Sequence, residues 1–384
     1  MLFRSAVSNN FKQQTRTTCN ATTSLGATTC LNSDTRGTIT IRYGNAGTIL
    51  HDATNSDPQS SGVIAVVFSP GIPLRRQDGI QQDRGCGADA SCVTTNICTN
   101  TTTPKCNPIN YLDISGTEDN ANFSDSTTNG FTRGVISDVL GNIFLNDRLV
   151  EITYQDLMPR LEKRIAGEIL VCLDSYASVN NGRYPWAAPT ADVTTPFAST
   201  TNTKFGRIPD QPLTATQLGS VAPTDTLANV LQLACDTALK GNSLPQCMRS
   251  SWPTQCLLPV TASSNSWWNN WKLHVFYAVA DAYKPATMFT QPTPTTVIVG
   301  GVAPVTGCPT CLTLSPSTVE NRQVVVLIGG KRLAAVPGGQ PRGTPTERQN
   351  LANYLEGENS NSDTIFLNQS SNATFNDFAV SLPK

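Results

Sequence analysis

The order of apolar and polar positions predicts one long amphipathic helix. Downstream of Asp156, apolar residues recur every three or four positions, as they do on one face of an α-helix. Asp156 is a good N-cap, and Asn181-Gly182 is a strong stop signal, so we place the helix at about 156–180. The stripe expected to face the core is Leu161, Ile165, Ile169, Leu173 and Tyr176. The residues expected to face water are Arg160, Glu162, Lys163 and Ser175.

Two apolar runs, Val63–Phe68 and Val324–Ile328, are typical of buried strands, and the sequence around them repeats. Each run leads into a Gly turn and a Leu. Next come near-copies of one motif, Asn110-Tyr111-Leu112-Asp113 and Asn353-Tyr354-Leu355-Glu356. Each half ends with a strand that contains Asn-Asp. A further strand precedes each apolar run, and we treat Thr38–Tyr43 and Trp271–Ala278 as equivalent. The shared order predicts two related modules.

We therefore expect module one at 1–150 and module two at 151–384, the second carrying a loop insertion at 190–266. A second helix is predicted inside that insertion, at 224–239. The first copy has its own excursion between Cys86 and Cys106. If the copies match fully, module one also begins with a helix, which we expect upstream of Met1.

Composition narrows the possible functions. The net charge is −1 and only 14% of the residues are charged, so no basic stripe is present and nucleic acid is not expected as a partner. The chain is rich in Ser, Thr, Asn, Gly and Pro, as is common in loop-rich extracellular proteins. No apolar run approaches the roughly 20 residues that a membrane-spanning helix needs.

The twelve cysteines favour disulfides in an oxidising compartment, because most of them lie near another cysteine within polar loops. Zinc is the alternative, since Cys308-Pro-Thr-Cys311 has C-x-x-C spacing, but zinc modules usually add a second tight pair or histidines. The disulfide candidates are Cys19, Cys30, Cys86, Cys92, Cys98, Cys106, Cys172, Cys235, Cys247, Cys256, Cys308 and Cys311.

The sequence does not indicate an enzyme. His274 lies in an apolar strand and is expected to be satisfied in the core, and neither a G-x-S-x-G nor a phosphate-binding loop occurs. We expect no catalytic residue and no cofactor, with calcium as the one candidate ligand. The candidate calcium ligands are Glu118, Asp119, Glu358 and Asp363.

Trp267, Trp268 and Trp271 form the densest aromatic patch of the chain. Exposed tryptophans stack on sugars and dominate interfaces, so this patch is a possible interaction surface. The interpretation that we favour is that the rings pack between helix and sheet, with one or two of them in the core.

Several segments resemble type IV pilins and type II secretion pseudopilins. The helix end Leu173–Pro185, LDSYASVNNGRYP, resembles the end of the long N-terminal pilin helix. Other segments resemble prepilin-type proteins of pilus and secretion clusters, namely Val275–Pro285, Val324–Leu333, Arg348–Asn359 and Phe375–Asp377. The resemblance implies an α+β fold of two pilin-like modules, each with an antiparallel sheet, the second sheet packed on the long helix, and disulfide-rich loops.

The resemblance also implies a function. It predicts a non-enzymatic structural or assembly component of a type IV pilus or type II secretion system. The expected location is the bacterial cell envelope, either periplasmic or extracellular. The partners would be other pilins or pseudopilins, with membrane contact only through an anchor helix upstream of the given chain. A secreted carbohydrate-binding protein or adhesin, with a surface ligand at the tryptophans, is one alternative. A secreted hydrolase with a carboxylate pair is another.

Overall fold

The chain folds as two compact α+β units. The computed structural model describes residues 4–11, 31–44, 47–95, 101–115, 118–121, 130–179, 182–193, 203–210, 234–235, 247–248, 252, 256, 267–284, 311–316, 322–334, 336 and 339–382. The units divide between Asp34 and Thr35 and again between Met158 and Pro159, so residues 31–34 belong to the second unit. Several of the sheets are antiparallel, which confirms the predicted mixed fold class.

The first unit is built on an antiparallel sheet in the order β1–β4–β10, formed by β1 (Arg4–Val7), β4 (Ala65–Ser69) and β10 (Arg148–Ile152). A second sheet has the order β3–β2–β7, formed by β2 (Thr40–Tyr43), β3 (Thr48–His51) and β7 (Gly130–Arg133), with β2 parallel to β7. Short pairs complete the unit: β5 (Ile114–Ser115) with β6 (Glu118–Asp119), and β8 (Ile136–Ser137) with β9 (Ile143–Leu145). Helix α1 spans Ala90–Thr95.

One face of the β1–β4–β10 sheet forms the core of the first unit. Val66, Phe68 and Leu149 point to this face and pack with residues of the second sheet. The rings of Phe68 and Phe131 meet edge to face with centroids 4.7 Å apart. Alternate residues of each strand point the other way, as strand geometry requires.

The second unit contains a four-stranded antiparallel sheet in the order β11–β14–β16–β18. Its strands are β11 (Phe205–Arg207), β14 (Val275–Val279), β16 (Val324–Ile328) and β18 (Phe378–Ser381). β12 (Ala234–Cys235) pairs with β13 (Cys247–Met248), and β15 (Thr313–Ser315) runs parallel to β17 (Ile365–Leu367). The helices are α2 (Tyr154–Val179), which begins in the first unit, α3 (Trp267–Trp271) and α4 (Pro345–Gln349).

The long predicted helix is confirmed as α2, with a different start. Thr153 precedes the helix, and its backbone N–H and hydroxyl both donate to the Asp156 carboxylate, at 2.9 and 2.7 Å. Asp156 therefore lies inside the first turn and is not the N-cap that we predicted. Gly182 ends the helical segment as predicted, since its φ is +74° and its N–H donates to the Ala177 carbonyl at 2.8 Å.

Four of the five stripe residues, Ile165, Ile169, Leu173 and Tyr176, are buried. Leu161 is half-buried, and Arg160 and Lys163 are exposed as predicted. The prediction for Glu162 is wrong. Its side chain is buried and accepts a hydrogen bond from the Ser33 hydroxyl at 2.8 Å, because residue 162 lies four positions after the buried Met158 and on the same face.

Burial raises the pKa of Glu162 to about 7, although the Ser33 hydrogen bond acts in the opposite direction. The pKa of this carboxyl is higher in the folded chain than in the unfolded chain. The free energy of unfolding therefore falls as the pH rises, and the loss is complete once the pH has passed through about 7. We expect Glu162→Gln, which keeps the acceptor for Ser33, to stabilise the second unit at pH 8 by roughly 2 kcal/mol and to have little effect at pH 5. Urea unfolding at both pH values measures this difference. Glu168→Gln, at a half-buried position of the same helix where the carboxylate pairs with Arg164, is the control and should change the stability at pH 8 by much less.

Two disulfides are described, Cys86–Cys92 and Cys172–Cys256. The first is a local bridge of the predicted kind. The second is not local, since Cys172 and its partner are 84 residues apart. Cys106 and Cys311 are also disulfide-bonded. Cysteines in disulfides cannot serve as zinc ligands, so the described cysteines favour the disulfide interpretation.

The Cys172–Cys256 bridge joins α2 to a distant segment, so its removal should matter more than removal of the local bridge. A longer closed loop restricts the unfolded chain more strongly. We expect the pair Cys172→Ser and Cys256→Ser to lose about 4 kcal/mol of unfolding free energy, and the pair Cys86→Ser and Cys92→Ser clearly less. Calorimetry of the two double variants would compare them; equal losses would contradict this expectation.

Most of the predicted insertion at 190–266, including most of the predicted helix at 224–239, lies outside the described residues. Ala234–Cys235 is described and forms a strand, so the helix prediction is wrong at these two residues. None of the helices among the described residues is both long and apolar enough to cross a membrane.

Candidate functional site

The same arrangement of strands occurs in both units. In the first unit, β4 lies between β1 and β10. In the second unit, β16 lies in the same way between β14 and β18. The strand registers also agree. Phe68 of β4 pairs with Leu149 of β10, and Leu327 of β16 pairs with Ala379 of β18. The equivalent central strands are Ala65–Ser69 and Val324–Ile328, which shifts our sequence alignment by one residue.

The predicted equivalence of Thr38–Tyr43 with Trp271–Ala278 is wrong. β1 holds the position of β14, whereas β2 runs parallel to β7 just as β15 runs parallel to β17. Alternating apolar residues identified both segments as strands. Alternation does not identify the partner strand, which is set by tertiary packing.

At the end of each central strand, one arginine joins three loop segments. Arg84 donates to the carbonyls of Asn110 and Gly71 at 2.9 and 2.7 Å, and its guanidinium lies over the Tyr111 ring, 4.9 Å from the centroid. In the second unit, Arg342 donates to the carbonyls of Asn353 and Gly330 at 2.5 and 3.0 Å and lies 4.4 Å from the Tyr354 centroid. We call these groups and their carboxyl partners the strand-end clusters.

A glutamine connects each arginine to a buried carboxyl. The Gln82 side chain accepts from Arg84 at 3.2 Å and donates to Asp113 at 2.8 Å. Gln340 accepts from Arg342 at 3.4 Å and donates to Glu356 at 2.6 Å. In both clusters, the glutamine side chain thus links the arginine to a carboxyl group through the same two hydrogen bonds.

Each cluster contains a buried pair of carboxyl groups. In the first unit, the Asp147 side chain accepts from the Asp113 N–H and from the Asn120 amide at 2.8 and 2.9 Å. In the second, Asp377 accepts from the Glu356 N–H and the Asn359 amide at 2.9 and 3.1 Å. For one oxygen of each aspartate, Asp147 Oδ1 and Asp377 Oδ1, the described residues provide no hydrogen-bond partner.

The carboxyl pairs favour protonation. Burial, followed by the charge of Asp113, raises the pKa of Asp147 to about 7. Burial and then the neighbouring Glu356 raise the pKa of Asp377 in the same way. A proton on one member of each pair removes the repulsion between two buried like charges.

The second cluster has an additional carboxylate, Asp34, which comes from the segment 31–34. Asp34 lies 3.1 Å from Arg342 Nη1, 3.5 Å from Arg332 Nε and 3.9 Å from His274 Nε2. Burial alone would raise the pKa of Asp34, but Arg342, His274 and Arg332 together lower it.

His274 is buried, as predicted, with Nδ1 3.1 Å from the Gly329 carbonyl oxygen. Burial is the largest cause that lowers the pKa of His274 to about 4, so the imidazole is neutral at physiological pH. A neutral, buried histidine that contacts the backbone is a structural part of the cluster.

These contacts fix loops to the end of a sheet. Each arginine uses its donors on backbone carbonyls and on the glutamine, and the carboxyl groups accept from backbone and amide N–H groups. Comparison with protein families, curated proteins and solved structures finds no match. The assignment of a role therefore rests on this geometry.

The tryptophan patch is largely internal, which agrees with the packing interpretation and not with a broad interaction surface. Trp268 and Trp271 are buried and Trp267 is half-buried. The Trp268 indole donates to the Asp210 carboxylate at 2.7 Å. The short helix α3 turns these two rings inward because i and i+3 positions share a face.

The candidate calcium ligands occur two in each unit, in different local surroundings. Asp119 forms an ion pair with Arg76 at 2.8 Å, whereas only the backbone of Glu118 is described. Glu358 is half-buried in a short 3-10 turn, and Asp363 is exposed and lines an open pocket of about 450 Å³ with Lys204 and Asp281. Among the described residues, no group of three or more His, Cys, Asp or Glu side chains is arranged to hold a metal.

Sequence reasoning missed the Gln-x-Arg pairs at the centre of both clusters. The signal was present, since Gly71-Ile-Pro-Leu74 precedes Gln82-Asp-Arg84-Gly85 and Gly330-Lys-Arg-Leu333 precedes Gln340-Pro-Arg342-Gly343. The spacing from Leu to Gln differs by one residue between the copies, which hid the match. Gly71 and Gly330 are required because a Cβ would overlap the side chains of Asn146 and Asn376.

Proposed function

We propose that this chain is a non-enzymatic structural or assembly component of a type IV pilus or type II secretion system, with two pilin-like units. The observation that carries the proposal is the end of α2. The resemblance to pilins implies a long helix, then a glycine with a positive φ, then a segment that joins an antiparallel sheet. The end of α2 has these features in this order. Tyr176 near the end of α2 and Tyr277 of β14 are both fully buried.

The chain after α2 also packs on this sheet. The Pro185 carbonyl accepts a hydrogen bond from the Tyr277 hydroxyl, and the Tyr184 hydroxyl donates to Gln323 at 2.7 Å. Helix, turn and sheet are thus joined by the residues that carry the resemblance. This arrangement supports a pilin-like head in the second unit.

The disulfides support an extracytosolic location, since such bridges persist in oxidising compartments. We therefore place the chain in the periplasm or outside the cell of a bacterium, with other pilins or pseudopilins as partners. The repeated clusters support a structural role, because their polar groups bind loops in the same way in two places.

The alternatives have less support from the geometry. A carbohydrate-binding surface needs accessible tryptophans, and two of the three rings are buried. A hydrolase needs a carboxyl pair that reaches substrate, whereas Asp113, Asp147, Glu356 and Asp377 are all buried.

Complementation in the host tests this proposal. Deletion of the gene should reduce surface piliation or type II secretion, and a plasmid copy should restore it. A copy with Glu356→Gln and Asp377→Asn, which keeps the shape of the pair, should also restore it if the purified variant folds. A folded variant that fails to restore function would favour the hydrolase, and unchanged piliation and secretion in the deletion strain would contradict the proposal.

A further inference from the structure

A reciprocal exchange of hydrogen bonds joins the two buried aspartates of the first unit. The Asp113 N–H donates to the Asp147 side chain, and the Asn146 N–H donates in return to the Asp113 side chain, both at 2.8 Å. Each aspartate thus binds the backbone at or beside the other one, and this exchange holds the two carboxyl groups close together. Neither aspartate is more than 1% exposed.

This exchange fastens a loop to the start of an edge strand. Asp113 ends the Asn110–Asp113 motif, and Asp147 directly precedes β10, the last strand in the order β1–β4–β10. The Asn120 amide also donates to Asp147, at 2.9 Å, so a second position of the loop is bound to the same carboxyl group. We call Asp113, Asp147 and the hydrogen bonds between their segments the carboxyl latch.

The cations near the carboxyl latch are bound to other groups. Arg84 donates to two backbone carbonyls, and Arg76 pairs with Asp119 at 2.8 Å and with Asp78 at 3.3 Å. Within the part of the chain that the structure describes, neither carboxyl group of the latch forms an ion pair, and Asp147 Oδ1 accepts no hydrogen bond. Two adjacent buried carboxyl groups without a paired cation cannot both ionise at little cost, so the site favours one retained proton.

The second unit repeats the exchange between Glu356 and Asp377. The Glu356 N–H donates to Asp377, and the Asn376 N–H donates to Glu356, both at 2.9 Å. Asp377 Oδ1, like its counterpart, accepts no hydrogen bond from the described residues. The same arrangement at the same place in two units of different sequence indicates a site that is built to hold a proton, since two independent chance burials would not share every bond.

We propose that the carboxyl latch of the first unit is a pH-sensitive switch, closed while Asp113 and Asp147 share one proton and open once that proton is lost. Without the proton, two like charges lie close together in a buried site, and both repulsion and desolvation favour their separation. The exchanged backbone hydrogen bonds then break, which releases the loop around Asn120 and the start of β10. The latch is independent of the role proposed above, because it needs no partner.

The direction of the switch follows from the causes that act on the two acids. Burial raises the pKa of Asp113, against the smaller effects of the Asn146 N–H, Arg76 and Arg84. Burial and then the charge of Asp113 raise the pKa of Asp147 to about 7. Both pKa values lie above those of the unfolded chain, so the latch is closed in acid and opens as the pH rises through about 7.

Hydrogen exchange of the full chain at pH 6 and pH 8, followed by mass spectrometry and corrected for the intrinsic pH dependence of exchange, measures the opening. In the wild type we expect the protection of peptides from 110–121 and 143–152 to fall by about tenfold or more between these pH values, while peptides from β16 keep their protection. Asp147→Asn should abolish the fall. Its carboxamide oxygen still accepts from the Asp113 N–H, and its NH₂ group donates to the Asp113 carboxylate in place of the proton.

Asp377→Asn is the matched control, because it makes the same change at the equivalent position of the second unit. It should leave the pH dependence of the first-unit peptides unchanged. Equal wild-type protection at pH 6 and pH 8, or an equal loss in β16, would overturn the proposal, and this comparison holds even if Asp147→Asn does not fold. A folded Asp147→Asn variant that loses protection as the wild type does would overturn it as well.

Discussion

Arg342→Ala should destabilise the second unit by about 3–5 kcal/mol, because removal of one partner leaves Asp34 buried without its closest cation. The guanidinium also donates to two backbone carbonyls and lies over the Tyr354 ring, and Ala replaces none of these contacts. All five tryptophans of the chain lie between residues 186 and 271. Denaturation followed by tryptophan fluorescence therefore reports on the second unit.

The twin residue supplies the control for this prediction. Arg84→Ala removes the same two backbone contacts in the first unit, but Arg84 is half-buried and has no counterpart of Asp34 among the contacts described. We expect a loss of about 1–3 kcal/mol, seen by calorimetry, with the tryptophan transition unchanged. Arg342→Lys should recover little, since lysine lacks the planar fork that reaches several acceptors. Equal losses for Arg342→Ala and Arg84→Ala would contradict the role given to Asp34.

Ile169→Asp should also cost several kcal/mol, roughly 4 or more, because it places a charge without a partner in the middle of the buried stripe of α2. Ile169 is fully buried between Ile165 and Leu173. Tryptophan fluorescence in urea should show a much lower midpoint for this variant. Its effect should extend to the contacts of α2 with the sheet, since Tyr176 lies on the same stripe.

Arg160→Asp is the matched control on the same helix. Arg160 is exposed, and a surface substitution of this kind usually changes stability by less than about 0.5 kcal/mol. If the two variants unfold at similar urea concentrations, the stripe is not a buried contact and α2 does not support the sheet.

Much of the fold could be predicted from local patterns. The period of the apolar residues placed α2 within two residues of its observed ends, and the apolar runs identified β4 and β16. Such patterns say which side chains need burial, but not which polar side chains are buried with them. The pattern therefore predicts a solvent-exposed Glu162, although Glu162 shares a face with Met158 and Ile165.

Contacts between distant segments set the rest. Asp34 meets Arg342 across 308 residues, and no local pattern indicates such a pairing. The Gln-x-Arg pairs were present in the sequence, but charged and amide residues are expected on surfaces, and their spacing from the central strand differs between the copies. The buried clusters therefore became visible only when both units were compared.

The role that we propose, a structural component of an envelope filament or secretion system, predicts where this chain is found. Immunogold labelling of host cells, together with analysis of filaments sheared from the surface, tests it most directly. We expect the disulfide-bonded chain on the filaments or with the secretion assembly in the envelope. The proposal would be contradicted if the intact chain is found free of any such assembly and if cells that lack the chain form filaments and secrete normally.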